Sequence, residues 1–146
     1  GGVSMTREEL EEKFIALGLP EGAAKHYAKR EQQDKNFAWL AAYHFVYRLN
    51  EDLRFFDDTY PDMLRDGRIT TSETTALMEA GATPEQIADF AYQIALESYC
   101  SVLQLITNGS AEYDTEDFPS WELVERTPDG EFTGRVVTEM QDLIPY

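Results

Sequence analysis

Two segments of this chain carry apolar side chains at the spacing of long α-helices. In residues 34–58 they recur every three or four positions, at Trp39, Ala42, Val46, Leu49, Leu53 and Phe56. In residues 83–107 the same spacing links Ile87, Phe90, Ala91, Ile94, Ser98 and Val102, of which only Ser98 is polar. A helix that is apolar around most of its circumference is usually buried at the centre of a domain. The chain is therefore predicted to be mainly α (α+β), a compact helical domain with two long central helices.

Capping signals predict where several helices begin. Thr6 and Glu9 form the pattern of a capping box, and so do Thr70 and Glu73. The strongest start is at Thr83, which is followed by Pro84 and by Gln86 three residues on. A short basic helix is predicted over residues 23–32, and a further helical turn over residues 140–143.

The last part of the sequence has the pattern of a β-hairpin. Residues 121–126 and 131–137 alternate roughly between apolar and polar side chains, and a Pro-Asp-Gly turn at residues 128–130 separates them. Within 146 residues we expect one domain, residues 5–146, after a cloning remnant at 1–4. Its helical core would span 5–108, and 109–146 would hold an acidic loop, the C-terminal β-hairpin and a tail.

Acidic charge is concentrated in the second half of the chain. Between Arg68 and Arg126 there is no Lys, Arg or His but there are eleven carboxylates, and the whole chain carries a net charge of −16. Such one-sided charge repels itself in the folded state. It also argues against direct nucleic-acid binding, which needs clustered Lys and Arg. A basic protein partner is the more natural expectation.

The densest acidic segment also contains aromatic residues. Clustered carboxylates with aromatic anchors are typical of protein interfaces, in which charge accelerates association and aromatic side chains supply affinity. The candidate partner-binding residues are Glu112, Tyr113, Asp114, Glu116, Asp117 and Trp121. The other interpretation, in which aromatic side chains fix the loop to the core while the acids are only solvated, stays open.

A second candidate site is a pocket between the two long helices, lined by aromatic and polar side chains. It would use Tyr43, His44, Tyr47, Arg48, Glu97 and Tyr99. His44 lies in the longest apolar segment, so a hydrogen-bonded core histidine is the simpler interpretation. Glu85, Asp89, Gln93 and Glu97 form a polar stripe at spacings of four that fits a solvated helix face best.

Residues 62–73 resemble a calcium-binding EF-hand loop at Asp62, Asp66, Gly67, Ile69 and Glu73. The oxygen ligand set is incomplete, because Leu64 stands at the third loop position and two arginines add positive charge. A turn at Asp66–Gly67, followed by a capped helix, explains the same residues. Neither a metal nor a cofactor is therefore expected, and the sequence contains no recognisable catalytic motif.

In size and charge the chain is similar to the small acidic immunity and inhibitor proteins of bacteria. The resemblance implies a non-enzymatic, acidic binding protein that occludes a basic protein partner, and it transfers no residues. The alternative is a small-molecule- or cation-binding helical domain, with or without enzymatic activity, whose pocket lies between the long helices. A cytoplasmic location is expected because there is a single Cys and no apolar leader or membrane-spanning run. Homo-oligomer formation is left open.

Overall fold

The computed structural model describes residues 4–108 and 121–143, and these residues are mainly helical. Its elements are α1 (Arg7–Ala16), α2 (Glu21–Gln33), α3 (Trp39–Asp58), α4 (Tyr60–Arg65), α5 (Ser72–Glu79), α6 (Pro84–Asn108), β1 (Val124–Arg126), β2 (Phe132–Val136) and a 3-10 helix (Met140–Leu143). The longest helices are α3 and α6, and β1 pairs antiparallel with β2. The predicted fold class, two long helices followed by a C-terminal hairpin, is confirmed.

The chain divides into two compact units. Unit 1 consists of Gly1–Arg48 and Ser101–Tyr146, and unit 2 consists of Leu49–Cys100. The boundaries fall inside the two longest helices, α3 and α6. A single domain over residues 5–146 stays a prediction.

Two predicted helix starts are confirmed atom by atom. At α1, the Thr6 hydroxyl accepts from the N–H of Glu9 at 3.2 Å, and the Glu9 carboxylate accepts from the N–H of Thr6 at 3.0 Å. At α6, Thr83 and Gln86 make the same reciprocal pair at 3.1 and 2.9 Å. Each box satisfies two N–H groups that have no partner within the helix.

Thr83→Ala is expected to lower the free energy of unfolding by about 1 kcal/mol, the usual cost of losing an N-cap. The reason is that the N–H of Gln86 loses its acceptor at the start of the longest helix. Urea denaturation followed by circular dichroism measures the change. Thr75→Ala is the matched control, since Thr75 is exposed within α5 and caps nothing. Equal stability of the two variants would contradict the capping role of Thr83.

One expectation for residues 59–74 is corrected. The capping box of α5 is formed by Thr71 and Thr74, one residue later than Thr70 and Glu73. The buried Thr74 side chain completes it, with its hydroxyl accepting from the N–H of Thr71 at 3.1 Å. In the same stretch, Pro61 lies in the first turn of α4, where its missing N–H costs no hydrogen bond.

Helix α3 begins at Trp39, the first residue of the predicted apolar pattern, because Asp34 holds the preceding residues in a turn. Its Oδ1 accepts from the N–H groups of Asn36 and Phe37, both at 2.9 Å, and its Oδ2 accepts from the indole of Trp39 at 3.2 Å. The first two of these bonds are the main reason that the pKa of Asp34 lies below its ordinary value. Phe37 then forms a parallel bridge with Val136 of β2. A contact between such distant segments has no local sequence signal.

The core of unit 1 is built around aromatic rings. Phe14 is fully buried, and its ring centroid lies 5.8 Å from Tyr43 and 6.1 Å from Tyr27. Tyr27 and Tyr43 are 4.7 Å apart. The other buried members of this cluster are Leu10, Leu19, Ala24 and Ala28.

Unit 2 has a smaller set of buried side chains. They are Leu53, Pro61, Leu64, Thr74, Ile87 and Ala88, drawn from α3, α4, α5 and α6. Several large apolar side chains of the same unit stay exposed, with Phe90 at 69% and Ile94 at 49%. Among the described residues, no helix combines the length and apolar character needed to cross a membrane.

Candidate functional site

Five of the six predicted partner-binding residues lie outside the described residues: Glu112, Tyr113, Asp114, Glu116 and Asp117. The sixth, Trp121, is 48% exposed. Its indole N–H donates to the carbonyl oxygen of Leu105 in α6 at 2.7 Å. This bond holds the indole in place while half of its surface faces solvent, an arrangement that suits an interface anchor.

The residues of the predicted pocket between the long helices are divided between the two units. In unit 1, Tyr43 belongs to the aromatic core, Tyr47 is half-buried, and His44 and Arg48 are exposed. The expectation of a core His44 is therefore wrong, because its position on α3 faces away from the Phe14 cluster. In unit 2, Glu97 is exposed and Tyr99 is half-buried. Tyr99 lines a cleft within its own unit.

Unit 2 carries a large excess of exposed negative charge. It contains eleven Asp and Glu residues and three Arg residues, a net charge of −8. Each arginine is already paired within the unit: Arg54 with Glu51, Arg65 with Asp62 and Glu85, and Arg68 with Asp66. The other seven carboxylates are exposed and form no ion pair in the described structure: Asp52, Asp57, Asp58, Glu73, Glu79, Asp89 and Glu97.

The cleft of unit 2 has a volume of about 610 Å³ and opens broadly to solvent. Acidic and aromatic side chains of α3 form most of it, and Tyr99 of α6 contributes from a second helix. Its lining residues are Glu51, Asp52, Arg54, Phe55, Phe56, Asp58, Thr59 and Tyr99. The lining therefore contains three carboxylates and one guanidinium, and that guanidinium lies 3.3 Å from Glu51. We refer to this site below as the acidic cleft.

Aromatic rings support one side of the acidic cleft. Phe55 and Phe56 lie 5.5 Å apart between ring centroids, and Tyr60 lies 5.7 Å from Phe55 and 5.5 Å from Phe56. Three rings in mutual contact restrict one another, because each fills the space into which the others would turn. Phe55 remains 39% exposed, so part of its ring is accessible from solvent.

The end of α3 adds negative potential to the acidic cleft. The aligned peptide dipoles of a helix leave about half a negative charge at its C-terminus, where basic side chains are normally favoured. Helix α3 has no basic residue in its last turn and ends instead at Asp57 and Asp58. Both carboxylates are exposed, and neither is ion-paired in the described structure. This arrangement costs stability, and a bound cation would relieve it.

A second charged cluster, in unit 1, is structural. The guanidinium of Arg135 in β2 donates to Glu31 of α2 at 2.6 Å and to both carboxylate oxygens of Glu125 in β1 at 2.8 Å. Burial opposes the charge of Arg135, but the two carboxylates outweigh it and hold its pKa above the ordinary value. Sequence reasoning missed this cluster. The one available signal is that Arg126 and Arg135 are the only basic residues after Arg68.

In the loop that resembles an EF-hand, both aspartates are ion-paired with arginines of the same loop. Asp62 pairs with Arg65 at 3.0 Å, Asp66 pairs with Arg68 at 3.0 Å, and the Leu64 side chain is buried. Within residues 4–108 and 121–143, no three His, Cys, Asp or Glu side chains are grouped as metal ligands.

Comparisons of the chain with protein families, with curated proteins and with solved structures found no match.

Proposed function

We propose that the protein is a non-enzymatic binding protein that captures and occludes a basic protein partner. The observation that carries the proposal is the group of seven exposed, unpaired carboxylates in unit 2. If the acids served internal ion pairs, they would be matched by basic residues. The three arginines of the unit, however, form ion pairs with only four of its eleven carboxylates. The remaining charge is available to a partner.

The physical mechanism has two stages. Surface charge of one sign attracts an oppositely charged partner over distances of about 10 Å at roughly 0.1 M salt and so accelerates the encounter. Desolvation of a few aromatic side chains then slows dissociation. Trp121, half-exposed and held by Leu105, is suited to the second stage. The acids of residues 112–117 would add to the first stage.

One observation favours the alternative of a small-molecule- or cation-binding helical domain. The acidic cleft falls within the range of about 300–1,000 Å³ that is common for ligand sites, and Tyr99 lines it as that alternative expects. The cleft is open rather than enclosed, however, and a small ligand would leave much of its surface in water. A partner protein can cover such a cleft completely.

The first test is capture from a lysate of the source organism, followed by association kinetics with the isolated partner. We expect the retained protein to be basic, and its association rate to fall about tenfold or more when salt rises from low to physiological concentration. Replacing Asp57, Glu79, Asp89 and Glu97 with their amides should also lower the association rate. These four side chains are exposed, so the fold should be unaffected.

The control removes positive charge instead of negative charge. Lys25→Gln with Lys29→Gln removes two exposed positive charges from α2, which should leave the association rate unchanged or increase it. An association rate that responds neither to salt nor to the four amide substitutions would refute the proposed function. So would the capture of an acidic partner.

A further inference from the structure

We propose that the acidic cleft anchors an arginine side chain of the basic partner. This inference rests on the proposed function and specifies which part of unit 2 makes the decisive contact. It joins three observations: unpaired carboxylates, an accessible aromatic surface and a helix C-terminus that lacks a basic residue.

The carboxylates select for positive charge. Glu51 is occupied by Arg54, whereas Asp52 and Asp58 line the cleft and have no cationic partner within unit 2. They lie six residues apart on α3, on the side that also presents Phe55. A guanidinium placed between them would donate charge-assisted hydrogen bonds to the carboxylates and would offset the negative end of the α3 dipole.

The aromatic cluster selects among cations. A guanidinium is planar and weakly hydrated, so it stacks on an aromatic face while its N–H groups bond to carboxylates at the edge. An ammonium group is compact and strongly hydrated and gains less from the same ring. Phe55 offers this surface, and its neighbours Phe56 and Tyr60 fix its orientation. The cleft therefore favours Arg over Lys.

Guanidinium–ring and guanidinium–carboxylate contacts already occur elsewhere in this chain. The guanidinium of Arg30 lies 5.0 Å from the centre of the Trp39 ring, and that of Arg126 lies 4.4 Å from the Phe132 ring. Arg135 shows a guanidinium bridging two carboxylates. In the acidic cleft the aromatic and carboxylate elements occur together, and the guanidinium would come from the partner.

The test uses the full-length protein and an acetylated, amidated tetra-arginine peptide as the probe. Affinity is measured by calorimetry at about 20 mM salt, where surface electrostatics are weakly screened. Backbone amide shifts in NMR spectra locate the bound peptide. We expect the largest shifts at residues 51–59 and at Tyr99. Tetra-lysine should bind about three- to tenfold more weakly, since it loses the stacking on Phe55.

Two pairs of substitutions separate the cleft from general charge. Asp52→Asn with Asp58→Asn removes two charges from the cleft and should weaken tetra-arginine binding about tenfold. Glu79→Gln with Asp89→Asn removes two exposed charges elsewhere on unit 2 and should weaken it only about twofold. Phe55→Leu keeps apolar volume but removes the ring, and it should abolish the preference for arginine over lysine. Circular dichroism of each variant verifies the fold.

Equal losses for the two pairs, or an arginine preference that survives Phe55→Leu, would overturn the cleft assignment. The proposed function would still stand in that case, because it depends on the salt response and on capture of a basic partner. Conversely, if the association rate of the captured partner does not change with salt while tetra-arginine binds in the cleft, the proposed function fails. The cleft is then a site for arginine alone.

Discussion

Arg135→Met is expected to lower the free energy of unfolding by about 3–5 kcal/mol, the cost of leaving buried carboxylates without their partner. The side chains of Glu31 and Glu125 are only 7% and 15% exposed, so water can replace the guanidinium only in part. Arg135 also donates to the backbone carbonyl of Glu31 at 3.2 Å, which would lose this donor. Urea denaturation at neutral pH measures the loss.

The matched control is Arg126→Met in the neighbouring strand β1. Arg126 is exposed and stacks on Phe132, so its loss should cost no more than about 1 kcal/mol. The loss of stability for Arg135→Lys should lie between those for Arg126→Met and Arg135→Met, since Lys keeps the charge but lacks the forked geometry of the guanidinium. Adding Glu31→Gln and Glu125→Gln to Arg135→Met should recover part of the stability, because the buried charges are gone. Equal effects of Arg126→Met and Arg135→Met would show that the cluster is not stabilising.

The sequence predicted those features of the fold that depend on neighbouring residues. The capping boxes at Thr6 and Thr83 each require one hydroxyl and one side chain three residues later, so their pattern is complete within a single helical turn. The hairpin depends on a turn at residues 127–130, where Gly130 takes a φ of 89° that favours glycine. In each case the physical cause lies within a few residues.

What the sequence could not predict depends on distant residues. Arg135 and Glu31 are 104 positions apart, and nothing near either residue specifies the other. The turn that precedes α3 also depends on a distant contact, because the N–H of Phe37 is bonded to Asp34 while its backbone pairs with Val136. At residues 70–74, Thr70 and Thr71 both fit a capping pattern, and the buried Thr74 decides between them.

The site predicted at residues 112–121 stays a prediction, because five of its six residues lie outside the described structure. The sequence indicated acidic and aromatic recognition of a basic partner there. In the described structure, Asp52, Phe55 and Asp58 combine the same two chemistries in one cleft. Their spacing looks like an ordinary solvated helix face. Only the position of Tyr99, on another helix, shows that this face lines a cleft.

Phe14→Ala is expected to lower the free energy of unfolding by about 3–5 kcal/mol, as for other large core aromatics reduced to Ala. Phe14 is fully buried between Tyr27 and Tyr43, with the ring of Tyr43 edge-on at 86°, so the substitution removes both ring contacts and leaves a cavity. Phe14→Leu should cost much less, because it fills most of that volume. Ile15→Ala, at the next position and 48% exposed, should change stability by no more than about 0.5 kcal/mol.

These variants also test the core role of the aromatic cluster around Tyr43. Substitution of a core residue affects stability and leaves binding at the acidic cleft unchanged as long as the protein stays folded. Phe14→Leu should therefore bind tetra-arginine with the affinity of the natural protein, while Phe55→Leu should not. A pocket at Tyr43 would give the opposite result: Phe14→Leu would weaken peptide binding with little loss of stability. Denaturation and calorimetry on the same samples separate the two.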